Sequence, residues 1–168
     1  LSHKKNRIAP IGPDVVFFFE DRITILYQVQ EMLRVERIFQ PPAIQEELDA
    51  YNPLIPDGSN WKATMMIQIP DVAARRKALA RLIGIERCCW VEIGDCERIY
   101  AIADEDMERA TEEKTSAVHF LRFELPLIVR DFVRRGGNIT MGIDHPFYRH
   151  SLDPVPNPLA DSLRDDLA

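Results

Sequence analysis

The sequence has no long apolar run, no broad basic patch, no cysteine framework and none of the short motifs that mark the commoner enzyme classes. Its longest apolar stretch, Val15-Val16-Phe17-Phe18-Phe19, has the length of a strand, well short of the roughly 18–20 residues that a membrane helix needs. A formal net charge of −6 over 168 residues and an isoelectric point near 5.2 argue against nucleic acid, whose phosphates require a concentration of lysine and arginine. The exception, Lys4-Lys5-Asn6-Arg7, is too short to carry that reading. Three cysteines, Cys88, Cys89 and Cys96, form an odd set without disulfide or metal spacing, as expected in a reducing compartment. With no signal-peptide pattern near the start, the expected location is the cytoplasm. Phosphate loop, dinucleotide glycine fingerprint, Gly-x-Ser-x-Gly elbow and His-Glu-x-x-His are all missing, so the reading leans away from an enzyme.

What is present is the composition of an ordinary globular chain, 46% hydrophobic and 29% charged, at a length suited to one core. Residues 14–19 are rich in β-formers, and Glu20-Asp21 can cap a following helix. Ile25, Leu26, Val29, Met32, Leu33 and Phe39 then recur at three- and four-residue spacing, which predicts a helix. Pro41-Pro42 stops it and starts another, ended by Asn52-Pro53. Alternation over residues 61–69 predicts a half-buried strand, Pro70-Asp71 opens a helix and Gly84 closes it. Residues 85–93 and 98–103 read as a hairpin around Gly94-Asp95-Cys96-Glu97, and the acidic residues 104–113 as a solvated connection. Residues 114–125 alternate on both faces, suggesting a central strand; a helix after Pro126 and a strand through Ile139, Met141 and Ile143 follow.

This order predicts an α+β fold, with one antiparallel or mixed sheet of about five to six strands and helices packed mainly on one face. Residues 1–13 read as an N-terminal tail or linker, 14–148 as the domain, and 149–168 as a proline-rich extension with a short helix. The open edges of such a sheet favour pairing, so a homodimer is the expected assembly.

Several blocks resemble an uncharacterised bacterial family of domains of unknown function (number 3501). They are Phe19-Glu20 with residues 28–34, residues 45–56, Tyr100 to Asp104, Glu113 to Phe123, and Asp144-His145-Pro146-Phe147-Tyr148. The resemblance spans most of residues 14–148 and implies no chemistry. It implies a neighbourhood, since genes of this family sit beside rubrerythrin-like proteins and an iron–sulfur oxidoreductase subunit. An accessory or binding protein of a redox or oxidative-stress system is therefore the expected role, with rubrerythrin-like or iron–sulfur proteins as expected partners.

Two polar groupings stand out. Gln28, Glu31 and Arg34 share a helix face that can form a polar patch beside Tyr51 and Asn52, although a solvated face with a Glu31–Arg34 pair is the preferred reading. Lys114, Ser116, His119 and Arg122 lie on one strand, with Asp144 and His145 beyond the last. If those strands neighbour each other, His119, Asp144 and His145 form the two-histidine, one-carboxylate set of zinc or iron sites, and a small metal-dependent enzyme is the alternative function. The preferred reading is a buried His119 bonded to backbone and a His145-Pro146 turn, with no cofactor expected.

Overall fold

The computed structural model describes residues 2–168. The short helix α1 (Ser2–Lys5) precedes the hairpin β1 (Ile8–Ile11) and β2 (Val15–Glu20). The helices α2 (Arg22–Val35) and α3 (Pro41–Tyr51), a 3-10 turn at Asn52–Leu54 and β3 (Asn60–Ile67) follow. Next come α4 (Val72–Arg81), a 3-10 turn at Ile85–Arg87, β4 (Cys89–Ile93), β5 (Ile99–Tyr100) and β6 (Ile102–Ala103). The chain continues through β7 (Val118–Glu124), α5 (Leu127–Arg134), β8 (Ile139–His145), β9 (Tyr148–Leu152) and α6 (Asn157–Asp165).

The fold is α+β and every strand pair is antiparallel, but the strands divide into two sheets where one was expected. One sheet runs β1-β2-β3-β7-β6 and the other β5-β4-β8-β9. The division falls inside residues 98–103, which read as one strand. Ile99 and Tyr100 pair with β4, the Ala101 amide bonds to Cys89 O, and Ile102 and Ala103 pair with β7. Alternation specifies which face a side chain takes, and leaves the partner strand open.

The inner faces of both sheets close one core. Phe17, Phe19, Trp61, Met65 and Phe123 come from the first, and Val91, Ile93, Met141 and Ile143 from the second. Phe17 and Phe19 pack edge to face at 6.2 Å, and Phe19 meets Trp61 at 6.4 Å in the same manner, the preferred geometry for ring quadrupoles. The helices are not confined to one face. The α2–α3 pair stands over the outer face of the five-stranded sheet, α5 packs near β4, and α6 adds Leu159 and Leu163 to the core.

Local signals explain the element ends. Asp21 accepts from the Thr24 amide while Thr24 Oγ1 accepts from the Asp21 amide, both at 2.9 Å, a reciprocal box that starts α2. Gly84, at φ +88°, supplies the left-handed residue that turns the chain out of α4. The periodicity of α2 is real but its burial is thinner than expected, since Ile25 and Val29 are buried while Leu26 and Phe39 are exposed.

Both chain ends are built into the structure. Ile8–Ile11, within the segment read as a tail, pairs along β2, and the segment read as an extension supplies most of β9 and all of α6. The clasp between them is Arg7, whose side chain is 2% exposed. Its guanidinium donates to Phe19 O (2.9 Å), Glu20 O (3.1 Å), Ser162 Oγ (2.8 Å) and Asp166 Oδ2 (2.6 Å). A buried cation has no periodicity, so hydrophobic patterning passes over it.

Candidate functional site

The register of the five-stranded sheet puts a polar ladder on its outer face. Glu20 lies opposite Lys62 and Lys62 opposite Arg122, with Phe18, Thr64 and Phe120 forming the next rung. Helix α3 and its following turn stand over these rungs and leave a cavity of about 560 Å³ between them. Phe120, Ala63, Leu121, Pro53 and Leu54 give it an apolar lining, and Glu47, Tyr51, Glu105 and Asp106 line it as well.

Glu20 is the unusual member. It extends the apolar run Val15–Phe19 as the last residue of β2, and only 4% of it is exposed. Thr24 Oγ1 donates to one carboxyl oxygen at 2.6 Å and Thr64 Oγ1 to the other at 3.2 Å. Burial nevertheless pushes its pKa above the ordinary glutamate value, and the threonine hydroxyls, Lys4 and Arg7 offset only part of that effect. The cations of the ladder are already engaged. Arg122 forks onto Glu105 at 2.7 and 3.1 Å and reaches Glu124 at 3.0 Å, which holds its proton more firmly than in a free arginine. The Lys62 ammonium donates to Pro53 O at 2.6 Å.

Four carboxyl groups, an ion-paired Arg122 and a Lys62 held on a backbone carbonyl therefore surround an apolar floor. That arrangement suits a small amphipathic molecule carrying a cation or hydrogen-bond donors. Tyr51 stands at the rim, its hydroxyl pKa raised by partial burial and by Glu47.

The residues singled out from sequence are only partly gathered here. Arg122 and Tyr51 line this cavity, while Gln28, Glu31 and Tyr51 line a shallower neighbouring groove of about 350 Å³. Arg34 turns outward to pair with Glu31 at 2.8 Å, and Asn52 is exposed. Lys114 is exposed at the turn before β7, and Ser116 Oγ accepts from the Val118 amide at 3.1 Å.

The grouping of His119 with Asp144 and His145 rested on neighbouring strands, and the strands are not neighbours: β7 belongs to one sheet and β8 to the other. Asp144 is half exposed and pairs with Arg149 at 3.3 Å. His145 bonds locally, Nε2–H donating to Ile83 O at 2.9 Å and Nδ1 accepting from the Phe147 amide at 3.1 Å. His119 instead faces the core side of β7, in register with Met65. Its companions are Asp104, which the sequence places in a solvated connection, and Glu86, which no sequence pattern marks.

The cysteines are all free. Burial pushes the Cys88 and Cys89 thiols up, so both stay protonated and poorly nucleophilic. The signal that could have found Glu20 and Asp104 is positional, since each is an acidic residue closing a β-forming run.

An antiparallel α+β fold with two sheets around one core, and polar chemistry on both faces of the interior strand β7, is the class defined by these observations. Within that class the chain belongs to the family described as "Protein of unknown function (DUF3501)", whose pattern it matches over residues 1–167. It is similar to a crystal structure from Burkholderia pseudomallei K96243, described as a novel protein of unknown function, with 49% identity and a TM-score of 0.94. The match covers 99% of this chain and 86% of the other. No curated protein sequence matches the chain. No helix is long and apolar enough to cross a membrane among the described residues.

Proposed function

We propose that this protein is a binding module, accessory to a bacterial redox or oxidative-stress system, and that its ligand occupies the cavity between α3 and the outer face of the five-stranded sheet. The observation that carries the ligand site is the buried Glu20 carboxyl in the lining of a cavity of about 560 Å³ with an apolar floor and a charged surround. The ligand class follows from the lining: a small amphipathic molecule whose apolar body rests on Phe120 and Leu54 and whose cationic or donor group meets Glu20 and Glu47. The redox setting rests on the family resemblance alone, through genes adjoining rubrerythrin-like and iron–sulfur proteins.

A thermal-shift series with small aromatic amines, their neutral analogues and matched carboxylic acids tests the ligand class. At a hundredfold excess over Kd, ligand binding stabilises by about 2.7 kcal/mol, or roughly 5–10 °C in a chain of this size. Amines should stabilise, and Ala50→Trp, at an exposed helix position on the cavity wall, should abolish the shift by filling the space. Stabilisation by acids only, or shifts that survive Ala50→Trp, would refute the site. Co-purification with rubrerythrin-like or iron–sulfur proteins tests the accessory role, which fails if none is recovered and the purified chain turns over substrate alone.

A further inference from the structure

On the opposite face of β7 lies a second constellation. Glu86, Asp104 and His119 offer three potential ligand atoms within 4.8 Å of one another. They arrive from three elements: Glu86 from the 3-10 turn after Gly84, Asp104 from the residue following β6, and His119 from β7. His119 is completely buried. Its Nδ1 lies 2.5 Å from Asp104 Oδ2, while Asp104 Oδ1 accepts from the Phe120 amide at 2.9 Å. Asp104 reaches this position with φ +50°, a left-handed conformation that costs a non-glycine residue on the order of 1 kcal/mol and is tolerated best by aspartate and asparagine.

With Nδ1 fixed by Asp104, Nε2 points away into a pocket of oxygens. Thr115 Oγ1 is 2.8 Å from it, Ser116 O 2.9 Å and Glu86 Oε2 4.0 Å. Glu86 is what internal packing leaves unexplained. Its side chain is 9% exposed, and Oε2 is buried without a hydrogen-bond partner. Nε2 is the facing polar atom, and 4.0 Å is beyond hydrogen-bond reach. A buried carboxylate oxygen with no donor is strongly unfavourable unless a cation or a proton meets it.

We propose that a divalent first-row transition ion, Zn²⁺, Fe²⁺ or Mn²⁺, binds between His119 Nε2 and the Glu86 carboxylate. Asp104 orients the ring from Nδ1, the carboxylate–histidine–metal relay that fixes the tautomer and raises ligand basicity. Ligands about 2.1 Å from one ion stand roughly 3 Å apart when adjacent and about 4.2 Å apart when opposite. The separations of 2.8, 2.9 and 4.0 Å from Nε2 match that spacing, so Thr115 Oγ1 and the Ser116 carbonyl are the further donors. One imidazole among oxygens, without thiolate, selects this class of ion over Cu⁺. Glu86 and Asp104 also line a cavity of about 610 Å³ with Arg87, Glu108 and Arg109, which adjoins the carboxylate side of the site. β7 sends Phe120 and Arg122 to one side and His119 to the other, so this site lies on the opposite face from the outer cavity, with Arg109 linking the two through Asp104 at 3.3 Å and Asp106.

The test is elemental analysis of full-length protein purified without a metal-affinity tag, followed by chelation and titration with ZnCl₂ and MnCl₂. The titrations are read by thermal stability, and by visible absorption after Co²⁺ loading. The expected result is close to one ion per chain, a rise in Tm on reloading, and loss of both in Glu86→Gln, which preserves size and shape. Asp104→Asn keeps the acceptor for the Phe120 amide and should weaken affinity by 10- to 100-fold, so the proposal stays testable if Glu86→Gln folds poorly. Less than a tenth of an equivalent in the purified protein with no stabilisation by either salt overturns it. So does an ion retained unchanged in Glu86→Gln, which would place the metal on an exposed group such as His150.

Discussion

Replacing Arg7 by methionine tests the clasp that joins the two chain ends. The substitution keeps most of the side-chain volume and removes every donor, leaving Phe19 O, Glu20 O and Ser162 Oγ without their guanidinium partner. It also leaves Asp166, 9% exposed at the side chain, as an uncompensated buried carboxylate. Breaking a buried ion pair from one side costs about 3–5 kcal/mol, which for a chain of this size lowers Tm by roughly 6–20 °C.

The pH dependence supplies a second handle. Burial already pushes Asp166 above the ordinary aspartate pKa, and it outweighs the opposing pull of Arg7 at 2.6 Å. Without Arg7 the shift grows, so the native variant holds this proton to higher pH than the unfolded chain does. Its stability therefore falls as pH rises through that window, and the cost of Arg7→Met should be smaller in mild acid than at neutrality. Urea denaturation at both pH values, with Arg7→Met/Asp166→Asn as the double variant, measures it. A cost below about 1 kcal/mol, or no recovery in the double variant, would refute an integral clasp.

Three further outcomes follow from the same contacts. Gly142→Ala should destabilise by about 3 kcal/mol in urea denaturation, because an added Cβ would lie 2.6 Å from the His150 carbonyl and 2.7 Å from the Trp90 ring; a cost within 0.5 kcal/mol would show that β8 and β9 can part. Tyr148→Phe removes the hydroxyl that donates to Ile11 O and accepts from the Asp14 and Val15 amides at 3.1 and 3.2 Å, and should cost about 1–3 kcal/mol, with faster hydrogen exchange at the β1–β2 turn as its signature. Glu20→Gln removes a carboxyl whose folded pKa is raised by burial. Wild-type stability from this group is therefore lost as pH rises from the ordinary glutamate value, and the variant should gain on wild type between pH 4 and pH 8; an unchanged difference across that range would contradict it.

The residues that patterning made legible are those whose neighbours along the chain repeat. Val15, Phe17 and Phe19 alternate with half-buried partners and form β2; Trp61, Ala63, Met65 and Ile67 do the same in β3. Asp21, Asp71 and Gly84 marked helix ends because capping chemistry is local. Strand partnership was not legible at residues 99–103, where a single turn of backbone at Ala101 carries the chain from one sheet to the other. Nor was the incorporation of the ends. Arg7 reads as one more residue of a polar start, and its role appears only when Ser162 and Asp166 arrive from more than 150 positions away.

The same distinction governs the sites. His119 is visible in the sequence as an unusual residue in a β-forming strand, but the sequence points to Asp144 and His145 as its partners because they too are unusual. The fold gives it Asp104 and Glu86 instead, one placed by a left-handed backbone turn and the other by a 3-10 turn behind a glycine. Both positions depend on backbone conformation that side-chain identity announces weakly. Once the register of β3 and β7 is known, however, the division of chemistry follows from alternation alone: Lys62, Thr64, Phe120 and Arg122 must share the outer face, and Met65 and His119 the inner. Two polar sites on opposite faces of β7 are thus a consequence of period-two geometry, and they are joined at Arg109, which pairs with Asp104 of one and Asp106 of the other.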